Sequence, residues 1–145
     1  MAKIEESVII NWPVDQVFNY VTDFDRLPEW ETNILKSEKT SAGKIGIGTT
    51  YRGVIKAMGM RMEWTSIVTK YEENTRLDET ITSGKTIIYE KLMFDIVDED
   101  TEFTLIHDYR TGGFLKLITP MLVYTMRKQM KANLGNLKRI LEKDG

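Results

Sequence analysis

No cysteine occurs among the 145 residues, so neither a disulfide framework nor a thiolate metal site is available. Histidine occurs once, at position 107, which leaves any metal site dependent on carboxylates, and none are spaced for one. Proline is limited to three positions, and no Pro/Ser-rich linker, repeat or low-complexity tract divides the chain. Residues 1–145 therefore read as a single domain, long enough to bury about 68–70% of the surface its unfolded chain exposes. Nowhere do 18 apolar residues run together, which argues against stable membrane insertion. The start, "MAKIEESVII", lacks the apolar core of a signal peptide, and a cytoplasmic location is expected. Nor does either sign of charge dominate. Lys plus Arg total 20 against 22 Asp plus Glu, and a net charge of −2 gives no general attraction to nucleic acid or to anionic membrane.

What the sequence does contain is patterned apolar material. "KIEESVII" places Ile4, Glu6, Val8 and Ile10 on one face, the period of a strand. The period then changes. Asn11 is positioned to cap a helix, Pro13 to occupy its first turn, and Val14, Val17, Phe18 and Val21 to form its apolar stripe. "DFDRLPEW" reads as a second brief helix or turn, stopped near Pro28. From Thr32 to Arg110, the turn segments "SAGKIGIG", "AMGM", "EENT", "TSGK" and "VDEDTE" punctuate a meander of about six strands, with a tight hairpin at Asp98 to Asp100 and a positive-φ glycine at Gly84. Beyond "TGGF" the pattern predicts a helix of roughly 24 residues, about 36 Å long. Thr119 would be its N-cap, Pro120 its first residue, and Ile118 would staple onto Val123. The predicted core is Val8, Ile10, Val17, Phe18, Phe94, Phe103, Leu134 and Leu137.

In this order of elements, "INWPVDQVFNYVTDFDRLPEW" resembles the start of the polyketide cyclase/dehydrase and lipid-transport family, part of the superfamily that includes START domains and birch-pollen-type allergens. The matching positions are Ile10, Pro13, Val17 with Phe18, Asp23, and Pro28 with Trp30. "GIGTTYRG", "MEWTSIVTKYEENTRLDET" and "LGNLKRILE" extend the resemblance over almost the whole chain. The resemblance implies an α+β helix-grip fold: a curved antiparallel sheet of about seven strands wrapped around a long C-terminal helix, with two short helices after the first strand. It also implies an internal pocket for a small hydrophobic molecule.

Alternation nominates the groups that would face such a pocket. Met58, Met60, Met62 and Trp64 share one strand face, and Met126 and Met130 on the final helix are placed to meet it. These methionines either line an adaptable binding surface or fill core. Phe103, Leu105, His107 and Tyr109 share a face on the last strand; Glu79 falls between Leu77 and Ile81, and Glu90 falls in phase with Leu92 and Phe94. A histidine, a tyrosine and one or two carboxylates in one cavity suit general acid/base chemistry or simple ligand binding. The same groups would also be at home in water at the sheet margin. Gly53 and Gly135 mark either close backbone packing or a bulge and a tolerated helix defect.

Other signatures fail. "SGKT" lacks the first glycine of a P-loop and precedes a strand, while Gly46 and Gly48 are only a fragment of a dinucleotide fingerprint, so no cofactor is implied. His107 and Asp108 point to opposite faces of a strand and cannot form an aligned hydrolase pair. Three readings stand: a carrier or sensor of a lipid, isoprenoid or polyketide-like molecule, a cyclase/dehydratase-type enzyme, and a protein-interaction module using the basic C-terminal helix.

Overall fold

Ala2–Ile10 forms β1, and its period-2 alternation buries Ile4 and Ile10. The computed structural model describes residues 2–57, 59–111 and 120–143 of the chain. After β1 come α1 (Val14–Thr22), a 3₁₀ turn (Phe24–Arg26) and α2 (Leu27–Trp30). Six strands follow: β2 (Ile34–Lys39), β3 (Thr50–Ala57), β4 (Met60–Glu72), β5 (Arg76–Ser83), β6 (Thr86–Val97) and β7 (Asp100–Thr111). The last described element is α3, the 24 residues Pro120–Lys143. The strands form one antiparallel, curved sheet in the order β1-β7-β6-β5-β4-β3-β2. This is the helix-grip architecture expected from the sequence. Among the described residues, no helix is long and apolar enough to cross a membrane.

Two predicted helix boundaries are corrected. Asn11 does not cap α1: Pro13 is the N-cap residue, without a side-chain hydrogen bond, and the Asn11 amide instead donates to Glu142 Oε2 of α3 at 2.8 Å. Pro28 does not end a helix but lies in the first turn of α2, where its missing N–H costs nothing. The predicted cap Thr119 and staple residue Ile118 lie outside the described residues, as does Met58. The turns behave as read. Asp98 (φ 57°) and Glu99 make the two-residue link between β6 and β7, and Gly84 has φ 58°.

The helices close one end of the sheet's inner face. Phe18 of α1 meets Phe94 edge-on at 5.0 Å, Phe94 stacks on Phe103 at 5.0 Å, and Trp30 of α2 meets Phe103 at 6.2 Å. Ile10, Val17, Phe18, Phe94, Phe103, Leu134 and Leu137 are buried, and Val8 packs against them half-buried. α3 lies along β1 and α2. Arg127 and Lys131 reach Glu6 of β1 at 2.8 and 3.5 Å, and Lys138 donates to the Ile9 carbonyl at 2.6 Å. Asn133, buried in the apolar stripe of α3, accepts from the Thr32 amide and donates to Asn33 Oδ1 at 2.9 Å. It ties the helix to the segment after α2.

Candidate functional site

The register of the sheet turns the alternation of single strands into rows that cross them. Glu79 of β5 pairs with Glu90 of β6, Glu90 with His107 of β7, and His107 with Ile4 of β1. On its other side Glu79 is opposite Val68 of β4. One inner-face row therefore reads Val68, Glu79, Glu90, His107, Ile4. The row toward the aromatic end is Leu77, Leu92, Leu105, and the row on the other side is Ile81, Ile88, Tyr109. Carried across the outer strands, these rows add Tyr71 and Glu6 on the aromatic side and Ser66 beside Ile81 on the other, so the most polar row lies between rows that are apolar at β5 and β6.

The polar row is well removed from water. Glu79 is 4% and Glu90 7% exposed, and the His107 side chain is 15% exposed. His107 Nε2 lies 2.5 Å from Glu90 Oε2, and its Nδ1 lies 3.3 Å from the Tyr109 hydroxyl. Either Nε2–H donates to a Glu90 carboxylate while Tyr109 donates to Nδ1, or a protonated Glu90 donates to Nε2 and Nδ1–H donates to Tyr109. In both arrangements His107 is neutral with both ring nitrogens partnered, and the second holds one proton more, on Glu90. Burial raises the Glu90 carboxyl from 4.5 to about 7 and lowers His107 from 6.5 to about 4. Burial, reinforced by the nearby Glu90 charge, holds Glu79 well above the ordinary carboxyl range. Tyr109 is also raised by burial, then by Glu90 and Glu31.

Glu31 is a member that the sequence reading missed. It follows α2 directly and is 9% exposed, and burial, then the charges of Glu90 and Glu79, raise its carboxyl far above normal. No periodic signal surrounds it. Ser66 was also missed, although its phase with Trp64 and Val68 on β4 would have found it; it is 5% exposed, and its Oγ, near Glu79, has no partner in hydrogen-bonding geometry. The indole nitrogens of Trp30 and Trp64 are likewise buried without a partner among the described residues.

The remaining nominated residues separate into groups. Phe103, Leu105 and Met130 are core, and Met126 packs half-buried against it. Trp64 is buried over Gly53, where a Cβ would come within 2.5 Å of its ring and 1.9 Å of the Lys36 carbonyl. Gly53 is thus a close-packing glycine. At Gly135 an added Cβ would meet nothing within 4 Å, so this is a tolerated helix glycine. Met60 and Met62 are 63% and 40% exposed, because α3 runs over β1 and α2 and not over the tip of the β3–β4 hairpin. At the same open end, Ile55, Ile81, Ile88 and Tyr109 are only half-buried. Two depressions of about 330 Å³ each are present, one lined by residues including Lys3, Glu79, Tyr89, Glu90, Asp108 and Arg110, the other by residues including Thr50, Thr65, Ser66, Ile67 and Thr82. Most of the other lining residues, among them Asp78, Thr80, Tyr89, Lys91 and Asp108, alternate onto the face opposite the glutamate row. Among the described residues, no three His, Asp or Glu side chains converge closely enough to hold a metal ion.

Comparison with known proteins agrees with this architecture. An uncharacterized 17.2 kDa protein of Streptomyces lincolnensis is 23% identical over 146 residues, covering all of this chain and 93% of that protein. The structure of TTHA0849 from Thermus thermophilus is similar with a TM-score of 0.82 at 19% identity, over 99% of this chain and 100% of that one. A START superfamily protein from Mycobacterium smegmatis matches at TM-score 0.74 and 16% identity, over 98% and 95% of the two chains. The di-domain aromatase/cyclase BexL matches at TM-score 0.76 and 17% identity, with 98% of this chain on 47% of that one. The model of the family described as polyketide cyclase / dehydrase and lipid transport matches residues 1–142, and the chain belongs to that family.

Proposed function

We propose that the protein binds a small, mostly apolar molecule against the inner face of the sheet, with the molecule's polar end at Glu79, Glu90, His107 and Tyr109. The carrying observation is the buried polar row set beside half-buried apolar side chains at the open end of that face. Buried polar groups without water cost free energy unless partnered, and a few convergent polar groups in an apolar wall are what fixes a ligand's orientation. The unpaired Ser66 hydroxyl and Trp64 indole add hydrogen-bonding capacity on the neighbouring strand. Ile81, Ile88, Met62 and Met60 offer the apolar run toward solvent. Family membership supports a ligand-binding role of this general kind. Native mass spectrometry of freshly purified protein tests it: a bound apolar molecule of defined mass supports the reading, and failure to retain or take up any apolar small molecule counts against it.

One observation favours a second reading, acid/base catalysis. Glu90, with a carboxyl raised to about 7 and 2.5 Å from an imidazole, is tuned near the pH at which a general acid or base works best. A cyclase or dehydratase would use that pair on the carbonyl end of a bound substrate. Turnover of the retained molecule, lost in His107→Ala, would select this reading over simple binding.

A further inference from the structure

We propose that the polar end of the ligand is a cation: an amine-bearing apolar molecule whose ammonium group docks against Glu79, Glu90 and the Ser66 hydroxyl. This names a ligand class for the internal site and rests on the binding reading above. The first observation is an imbalance of charge type. Glu31, Glu79 and Glu90 are each at least nine-tenths buried, whereas no lysine or arginine is buried among the described residues. Glu31 feels the charges of Glu90 and Glu79, and Glu79 that of Glu90. His107, which meets Glu90, is itself driven toward its neutral form by burial. Carboxylates in such a setting must either hold protons or meet a cation from outside.

The second observation points to the ligand independently. Ser66 Oγ is buried close enough to Glu79 to favour its carboxylate, yet among the described residues no partner meets it in hydrogen-bonding geometry and no donor reaches its oxygen, which leaves an acceptor open beside the cluster. An ammonium has three donors, and two carboxyl oxygens with one hydroxyl oxygen would satisfy them. The described acidic and imidazole groups do not converge as a metal site does, and the apolar side chains of Ile81 and Ile88 beside them suit an organic cation. Its apolar remainder would run over Ile81 and Ile88 toward Met62. Binding exchanges one positive charge for another: the ammonium enters, and a proton held by the Glu79–Glu90 pair leaves to water.

Isothermal titration calorimetry of the full chain at pH 7.5 with dodecylamine, dodecanol and dodecanoate, each below its micelle concentration, tests the inference. The expected order is amine tightest, by about tenfold or more over the alcohol as charged hydrogen bonds give, with the carboxylate weakest. Proton release, read from the buffer dependence of the heat, should accompany the amine alone. In the isosteric Glu79→Gln/Glu90→Gln variant the amine preference should disappear. Alcohol or carboxylate binding as tight as the amine overturns the inference while leaving apolar binding intact, and an amine preference that survives in the double variant overturns it too. Binding of none of the three removes both readings. Should the double variant fail to fold, Glu79→Gln alone and the wild-type amine-to-alcohol ratio still decide.

Discussion

The imidazole Nε2 of His107 and the carboxylate Oε2 of Glu90, 17 residues apart in sequence, face each other at 2.5 Å because β6 and β7 pair in a register that sets the two residues directly opposite. Burial moves the two pKa values in opposite directions, Glu90 up to about 7 and His107 down to about 4, each toward its uncharged form. The pair's charge state, not its packing, carries the testable consequences.

Replacing Glu90 with Gln should stabilise the protein at pH 8 and leave stability near pH 4.5 almost unchanged. A carboxyl whose folded pKa is raised contributes stability that is complete below its unfolded value, and that contribution is lost as pH rises through the folded value. With Glu90 moved from 4.5 to about 7, the loss falls in that window, and Gln does not suffer it. The expected gain at pH 8 is on the order of 1–3 kcal/mol, read as the difference in urea midpoints at the two pH values.

His107 has the opposite sign. Its lowered pKa means that the native state resists protonation, so stability is present at neutral pH and declines as pH falls from 6.5 toward 4. Nitrogen-15 shifts of the ring should report a neutral imidazole at pH 5.5, where an ordinary histidine is mostly charged. A charged ring at that pH would contradict the buried placement.

Two glycine substitutions should move stability in opposite directions. Gly53→Ala drives a Cβ into the Lys36 carbonyl and the Trp64 ring, and backbone cannot yield cheaply, so a loss of about 1–3 kcal/mol or more is expected. Gly135→Ala meets open space on an exposed face of α3 and should gain roughly 0.5–1 kcal/mol. Denaturant melts of the two variants check both signs.

Asn133→Ala should cost about 1–3 kcal/mol, because the Thr32 amide and Asn33 side chain lose a buried partner. Its hydrogen-exchange signature is specific: protection should fall for residues 31–34 more than for the β6–β7 hairpin.

Much of this arrangement is legible in the sequence, for identifiable reasons. Strand alternation puts Glu79, Glu90, His107 and Tyr109 on the face shared by Leu77, Leu92 and Leu105, and the structure keeps that phase because the irregularity opposite Glu79 places its extra residue on β4, between Val68 and Lys70, while β5, β6 and β7 pair without a shift. That they form one row is a matter of inter-strand register, which no single strand encodes. Glu31 was invisible because it follows a four-residue helix with no period around it. Asn133 and Ser66 carried a usable signal, a polar residue in phase with an apolar stripe. Met60 and Met62 had the right phase but the wrong depth, since the position of α3 over β1 is a tertiary fact. Asn11 and Pro28 show local cap preferences overridden by packing, one by a contact with Glu142 of α3 and one by the turn from Phe24 into Leu27.

A nitrogen-15 correlation spectrum titrated with dodecanol, an uncharged apolar probe, tests the central claim of an inner-face binding site most directly. The account predicts saturable shifts at Glu79, Ile81, Ile88, Glu90, His107 and Tyr109, together with the His107 ring, and small changes at the outward-facing Asp78, Lys91 and Asp108. Shifts concentrated on the outward-facing residues, or none anywhere, would contradict it.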